Sequence, residues 1–124
     1  MVTALMVKPG KQACVAPLID DGDYLNAAVS IGATLMCSAA VLPIEKHIVA
    51  IYAWEGVMAG LKGNRKIGKR IVAGVFYVVR IIDGQLRSLT EDELSKYSYR
   101  FRTIREYSDK EVMDSWFDDF WLAT

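Results

Sequence analysis

Residues 71–82 read IVAGVFYVVRII, and this run carries the most weight in predicting the fold class. Most of its residues are β-branched or aromatic, and Arg80 is its only charged residue. Such a run is typical of a central strand that is covered on both faces. We therefore predict one strand over 71–82, followed by a tight turn at Asp83-Gly84 and a hairpin return that begins within 85–88.

Shorter elements are predicted on the N-terminal side of this run. Residues 3–7 (TALMV) are apolar and stop at the turn signal Lys8-Pro9-Gly10, which favours a first strand. A second strand would pair antiparallel with it at a sheet edge, because Pro17 cannot donate a backbone hydrogen bond. The elements predicted before residue 71 are strands at 3–7, 12–18, 34–42, 47–54 and 57–61, a short helix at 23–31 and an exposed loop at 62–70.

Two helices are predicted after the run, and each begins at a capping box. Thr90 and Ser108 are each followed three residues later by a glutamate, so hydroxyl and carboxylate can cap the helix start reciprocally. The predicted helices are 91–99 and 109–121, and the second carries an apolar stripe of Val112, Met113, Trp116, Phe117, Phe120 and Trp121. Together these elements predict an α+β fold: a mostly antiparallel sheet of about five to six strands, with one short N-terminal-half helix and two C-terminal helices packed on it.

Length and composition favour one domain. The chain has 124 residues, 52% of them hydrophobic, which is enough for one ordinary core. We predict a single α+β domain over 1–124, with 106–124 as a Trp-rich C-terminal helical extension. The first ten residues lack the features of a signal peptide, and no apolar run approaches the roughly 20 residues of a membrane span. We therefore expect a cytoplasmic protein without a membrane partner.

No motif in the sequence is typical of a catalytic, metal or cofactor site. His47 is the only histidine, and Cys14 and Cys37 form no CxxC or Cys/His cluster. Both thiols are predicted to be buried and reduced. The acidic turn at 20–23 lacks the calcium-loop pattern, and the glycines of 56–63 fit neither common phosphate-binding motif. We therefore expect no catalytic residues, no metal and no cofactor.

Charge is unevenly distributed along the chain, although the formal net charge is zero. Residues 1–61 carry −2, residues 62–105 carry +7 and residues 106–124 carry −5. Contact between the basic middle and the acidic end is one explanation; a solvated loop at 62–70 (KGNRKIGKR) is another. A third is that this loop binds a small anion or, together with Arg100, Arg102 and Arg105 and the aromatic residues between them, nucleic acid. The candidate ligand or nucleic-acid binding residues are Lys62, Asn64, Arg65, Lys66, Lys69 and Arg70.

The aromatic stripe of the last predicted helix leaves two alternatives open. Large aromatic side chains are favoured at protein interfaces, and a homodimer is one form that such a contact would take. The same stripe can also pack on the chain's own sheet. The candidate protein-interaction residues are Trp116, Phe117, Phe120 and Trp121.

Several stretches in a fixed order resemble one family of small proteins. They are ALMVKPG (4–10), YLNAAVSIGA (24–33), YAWEGVMAGLKGNRKI (52–67) and IVAGVFYVVRIIDGQLRSLTEDELSKYSYRF (71–101). The chain resembles the DUF3846-like family, a domain of unknown function from bacteria, phages and mobile elements. The resemblance covers residues 1–104 and departs from the family at Ile31-Gly32-Ala33, where the family usually has paired glycines. It implies an α+β fold and a mobile-element context, and no activity.

Three hypotheses of function follow. The leading one is a non-enzymatic accessory protein that binds a protein or a small anionic ligand. The alternative is a nucleic-acid-binding protein that uses the basic loop 62–70. The least favoured is a small enzyme with a site near Glu55, Asn64 and Arg65, where Trp54 would raise the pKa of the carboxyl by desolvation.

Overall fold

A computed structural model describes residues 2–18 and 39–122 of the protein, with side chains described as far as residue 117. The predicted helix at 23–31 and Cys37 lie outside the described residues. None of the described helices is long and apolar enough to cross a membrane.

Eight strands and two helices make up the described part of the chain. The strands are β1 (Val2–Val7), β2 (Cys14–Leu18), β3 (Ala39–Glu45), β4 (Ile48–Ala53), β5 (Gly63–Ile67), β6 (Arg70–Ala73), β7 (Phe76–Ile82) and β8 (Gln85–Arg87). The helices are α1 (Glu91–Arg100) and α2 (Asp109–Leu122). The predicted α+β class and the two C-terminal helices are confirmed.

Six of the strands form one antiparallel sheet with β7 inside it. Their order is β2-β1-β7-β4-β3, and β8 pairs with the last part of β7. Val78 of β7 lies opposite Leu5 of β1 on one side and Ala50 of β4 on the other. Asp83 and Gly84 both have a left-handed φ, 52° and 76°, as a two-residue type I′ hairpin turn requires. The mostly antiparallel sheet and the hairpin return are therefore confirmed.

The prediction of one strand over 71–82 is wrong, because the run is divided between two sheets. Gly74 adopts a φ of +79°, which is strained for any residue with a side chain. Its N–H donates to the Lys62 carbonyl over 2.8 Å, and the chain changes direction there. As a result β6 pairs with β5 in a separate two-stranded sheet, and only β7 enters the main sheet.

The predicted exposed loop at 62–70 is also wrong, since most of it forms a hairpin of β5 and β6. Gly68-Lys69 is the two-residue turn, and the φ of +60° at Gly68 suits the first central position of a type II′ turn. The predicted strand at 57–61 is replaced by successive turns. In these turns the Ala59 N–H donates to the Glu55 carbonyl over 2.8 Å.

Among the described strands, β2 and β3 form the two edges of the main sheet, and each contains a proline. Pro17 lies in β2, which confirms the predicted edge position. β3 continues through Pro43 to Glu45 rather than ending near residue 42, and its register with β4 shifts between Pro43 and Glu45. Cys14 is exposed on β2, so its predicted burial is wrong; an edge strand leaves one side of its backbone uncovered.

The two faces of the main sheet belong to different clusters of buried side chains. Leu5, Ala50 and Val78 belong to one cluster, which also includes Tyr97 of α1 and residues of the β5–β6 hairpin. Ile51 and Val79 point to the opposite face with a second cluster. The hairpin and both helices therefore pack on one face of the sheet, and the candidate site is built there.

Both predicted capping boxes are confirmed. Thr90 Oγ1 accepts from the Glu93 N–H over 3.2 Å, and the Glu93 carboxylate accepts from the Thr90 N–H over 2.9 Å. Ser108 and Glu111 make the same pair of bonds, each 3.1 Å long, at the start of α2. These bonds satisfy N–H groups that have no partner within the helix, and so fix where each helix begins.

Helix α2, which was predicted to pack on the main sheet, packs mainly on β6 and reaches the main sheet through Trp116. Trp116 Nε1 donates to the Ile71 carbonyl over 2.7 Å, and Ser115 Oγ accepts from the Ile71 N–H over 2.9 Å. The Trp116 ring also lies 5.4 Å from the Tyr52 ring, centroid to centroid. Two side chains of α2 thus bond the backbone of Ile71 where a third strand would otherwise pair with β6.

Candidate functional site: a cationic cleft at the β5–β6 hairpin

A cleft of about 810 Å³ opens between β3, the tip of the β5–β6 hairpin, the end of α1 and the first half of α2. We call it the hairpin cleft. Four cationic side chains line it: Lys66, Lys69 and Arg70 from the hairpin, and Arg100 from the end of α1. The two-residue turn at Gly68-Lys69 brings Lys66, Lys69 and Arg70 together, because the hairpin places residues before and after the turn side by side.

None of the four cations lining the cleft forms a salt bridge with another described side chain. Two carboxylates also line the cleft, Glu111 and Asp114, but both already have partners on α2 or just before it. Glu111 pairs with Arg105 at 3.0 Å, and Asp114 pairs with Lys110 at 2.6 Å. The cleft therefore has an excess of positive charge that the described residues leave uncompensated.

The acidic start of α2 lies beside the basic hairpin, as the charge pattern suggested. The backbone N–H of Ser108 is the main cause that lowers the pKa of the Glu111 carboxyl, and the positive charges of Arg105 and Lys66 add to it. The hairpin and helix are therefore electrostatically complementary. The complementarity is partial, because Lys66 and Lys69 remain exposed.

Arg70 has a structural task as well as a place in the cleft wall. Its Nη1 donates to the Trp116 carbonyl over 3.0 Å, and its guanidinium carbon lies 4.9 Å from the centre of the Trp116 ring. The partly buried side chain thus joins the hairpin to α2. Lys66, Lys69 and Arg100 are the exposed cations of the cleft and the ones free to meet a ligand.

Asn64 and Arg65 are buried, contrary to the prediction of an exposed binding loop. Their side chains are 1% and 4% exposed. Asn64 Nδ2 donates to the carbonyls of Val7 and Gly74 over 2.8 and 2.9 Å, and its Oδ1 accepts from Arg65 Nη1 over 2.9 Å. Asn64 thereby joins the end of β1 to the bend between β6 and β7. Direct contact of either residue with a ligand would require this bonding to break.

Arg65 connects β5 to the end of α1 and to the segment between β1 and β2. Its Nε donates to the Phe101 carbonyl over 2.8 Å, and its Nη2 donates to the Lys11 carbonyl over 2.7 Å. Burial lowers the pKa of the guanidinium, and no carboxylate within reach among the described residues opposes that effect. By holding the residue after Arg100, Arg65 fixes the end of α1 next to the hairpin. We assign it a positioning role for the cleft.

Other predicted residues lie outside the cleft. Lys62 is exposed before β5 and does not line it. Glu55 is also exposed, so the desolvation on which the enzyme hypothesis depends is missing. Among the described residues no group of three or more His, Cys, Asp or Glu side chains is arranged to hold a metal.

The aromatic candidates on α2 divide in a similar way. Trp116 and Phe117 are partly buried, and Trp116 packs against the chain's own core. The side chains of Phe120 and Trp121 lie outside the described residues. A partner contact through these four residues therefore stays a prediction.

Sequence reasoning missed one wall of the cleft, the apolar segment Leu42-Pro43-Ile44 of β3. It did associate Arg100 with the basic stretch, and the fold brings the two together. A signal for the hairpin itself was present, because Gly68-Lys69 is flanked by Ile67 and Ile71 in the manner of a two-residue turn between strands.

In comparisons with protein-family models, curated proteins and solved structures, no match to this chain was found. The resemblance to the DUF3846-like family therefore stays a prediction.

Proposed function

We propose that this chain is a non-enzymatic binding protein that holds an anionic ligand in the hairpin cleft. The observation that carries the proposal is the set of four cations that line one concave site without an ion-pair partner among the described residues. Clefts with walls of low dielectric focus the field of such charges and concentrate anions. The geometry favours a small molecule over a protein as the binding partner, because the charges converge in a concave cleft of the size of a small ligand and not on a flat surface.

The test is calorimetric titration with inorganic phosphate at low ionic strength. Binding should weaken by at least about tenfold in the double variant Lys66→Ala/Lys69→Ala, since each charge contributes on the order of 1 kcal/mol near a protein surface. Both side chains are exposed, so the variant should keep the thermal unfolding midpoint of the unmodified protein.

Lys62→Ala is the matched control for this experiment. It removes the same charge from the same stretch of chain, but outside the cleft. Its phosphate affinity should stay within about twofold of the unmodified protein, because an exposed charge that does not line the cleft acts on the ligand only through the high dielectric of water. An equal loss of affinity in Lys62→Ala and in the double variant would show diffuse surface attraction and would contradict the proposal.

Nucleic-acid binding is the second candidate, and residues at the end of α1 and after it favour it. Arg102 lies 3.7 Å from the ring centre of Tyr99, which is 66% exposed, and Arg105 lies 4.8 Å from that of the half-buried Tyr107. Tyr99 and Arg102 thus add an exposed aromatic ring and a cation close in sequence to Arg100 of the cleft. Anisotropy titrations with labelled oligonucleotides at several salt concentrations test it. The logarithm of the binding constant should fall linearly with the logarithm of the salt concentration, with a slope of about −0.9 for each phosphate neutralised on duplex DNA. Absence of binding at low salt rules this candidate out.

A further inference from the structure

The two main walls of the hairpin cleft differ in chemistry. All lining residues from β3 are apolar: Leu42, Pro43 and Ile44. The hairpin and the end of α1 supply the cations. A ligand that touches both walls therefore meets positive charge on one side and hydrocarbon on the other.

The β3 wall is poorly suited to an extended peptide. A peptide that adds a strand to an edge needs a regular row of backbone donors and acceptors. Pro43 has no N–H, and the register of β3 shifts between Pro43 and Glu45. Prolines and bulges on an edge strand oppose the addition of another strand. The apolar wall is thus a surface for side-chain contact with a compact ligand.

The size of the cleft also bears on the ligand. Its volume is about 810 Å³, whereas one water molecule takes up roughly 30 Å³ in the liquid. An inorganic anion a few times larger than water would leave most of the cleft in contact with solvent. Pockets of roughly 300–1,000 Å³ are typical for organic ligands with apolar and polar parts.

We infer that the ligand of the hairpin cleft is a small organic phosphate with an aromatic or apolar body, of the size of a nucleoside monophosphate. This inference rests on the proposed function and specifies its ligand class. Lys66, Lys69 and Arg100 hold the phosphate. Leu42 and Pro43 contact the apolar body, whose transfer from water adds affinity in proportion to the area it buries.

Three ligands of similar charge test the inference on the unmodified protein by calorimetric titration at about pH 8: inorganic phosphate, ribose 5-phosphate and adenosine 5′-monophosphate. The two monoesters carry about two negative charges at this pH, so the base is the main difference between them. We expect adenosine monophosphate to bind at least about tenfold more tightly than ribose 5-phosphate.

A pair of variants places the apolar contact. Leu42→Ala shortens a side chain that lines the cleft, and Val41→Ala shortens a side chain of the same strand that packs with the cluster on the opposite face. Leu42→Ala should reduce the advantage of adenosine monophosphate over ribose 5-phosphate several-fold, and Val41→Ala should leave it unchanged. If Leu42→Ala fails to fold, the comparison of the three ligands on the unmodified protein still tests whether an apolar body adds affinity.

The outcomes separate the two proposals. Equal affinity of adenosine monophosphate and ribose 5-phosphate overturns the inference and leaves an anion-binding cleft in place. Loss of the advantage in Val41→Ala as much as in Leu42→Ala likewise overturns the assignment to the β3 wall. Absence of binding by all three phosphates overturns the proposed function, and the inference with it.

Discussion

Arg65 is a buried cation whose hydration is replaced by neutral groups. Two backbone carbonyls and the Asn64 amide oxygen accept its hydrogen bonds. A planar guanidinium can address three acceptors in different directions at once, which a lysine ammonium on a flexible stem does less well. An arginine therefore suits this position because of the geometry of its donors. Burial of its charge is offset because hydrogen bonds from a charged donor are stronger than those between neutral groups.

Arg65→Lys should lower the free energy of unfolding by about 2–4 kcal/mol, because at least one of the three acceptors then loses its donor in a buried place. Denaturant unfolding measures the change. The neighbouring Lys66→Ala is the control, and since Lys66 is exposed its effect should stay within about 0.5 kcal/mol. A stability equal to that of the unmodified protein in Arg65→Lys would contradict the positioning role.

Gly74 is the residue that separates β6 from β7. A Cβ built on it would lie 2.9 Å from Leu61 Cδ1, and its φ is +79°. Gly84 has a similar φ of +76° but open space around the same position. Both glycines thus have a left-handed φ, but only at Gly74 would an added Cβ meet a neighbouring side chain.

Gly84→Ala should cost about 1–2 kcal/mol of folding free energy through the left-handed backbone alone. Gly74→Ala should cost more, because it adds the clash with Leu61. Adding Leu61→Ala to each variant resolves the two contributions. The second change should recover part of the loss only in the Gly74→Ala background, and recovery in both backgrounds, or in neither, would contradict the contact.

At the scale of elements, helix α2 is held by polar bonds from its side chains to the backbone of a neighbouring strand. Trp116→Phe keeps an aromatic ring against Tyr52 but leaves the Ile71 carbonyl without its 2.7 Å bond. We expect a loss of about 1–3 kcal/mol in thermal or denaturant unfolding. Trp54→Phe is the control, because Trp54 is 62% exposed and should tolerate the change.

The sequence predicted correctly those elements whose structure depends on a few adjacent residues. The capping boxes at Thr90 and Ser108 and the turn at Asp83-Gly84 were found because each needs only a few adjacent residues. The division of 71–82 escaped prediction, since both halves are equally apolar and the direction of the chain at Gly74 depends on bonds to distant residues.

The candidate site was predicted only in part, for a related reason. Lys66, Lys69 and Arg70 were identified from their charge. Asn64 and Arg65 have the same polar character, and only the carbonyl groups supplied by distant segments make their burial favourable. No pattern within 62–70 distinguishes the two cases.

At the scale of the whole molecule, paired carboxylates link stability to pH. Burial tends to raise the pKa of Glu93, but its hydrogen bonds with Arg80 and with Thr90 outweigh that effect and the pKa is lowered from its ordinary 4.5. Arg80 Nη2 lies 2.6 Å from the carboxylate. A group with a lowered pKa in the folded protein contributes stability above its unfolded pKa and loses it as the pH falls through the folded value.

The thermal unfolding midpoint should therefore fall as the pH drops below about 4.5. Glu93→Gln should be less stable than the unmodified protein at neutral pH and less sensitive to acid, so the two curves converge at low pH. Glu91→Gln removes a carboxylate from the same turn of α1 that has no salt bridge among the described residues, and it serves as the control. Parallel curves for Glu93→Gln and the unmodified protein would contradict the link.

The prolines in β2 and β3 have a consequence for the protein at high concentration. An uninterrupted open edge is a template on which copies of a chain join into aggregates. Pro17 and Pro43 each remove a donor from the two edge strands, and the shift in register after Pro43 bends the second of them away from a regular ladder. The molecule thus carries protection against fibril growth at both described ends of its main sheet, independent of anything the hairpin cleft binds.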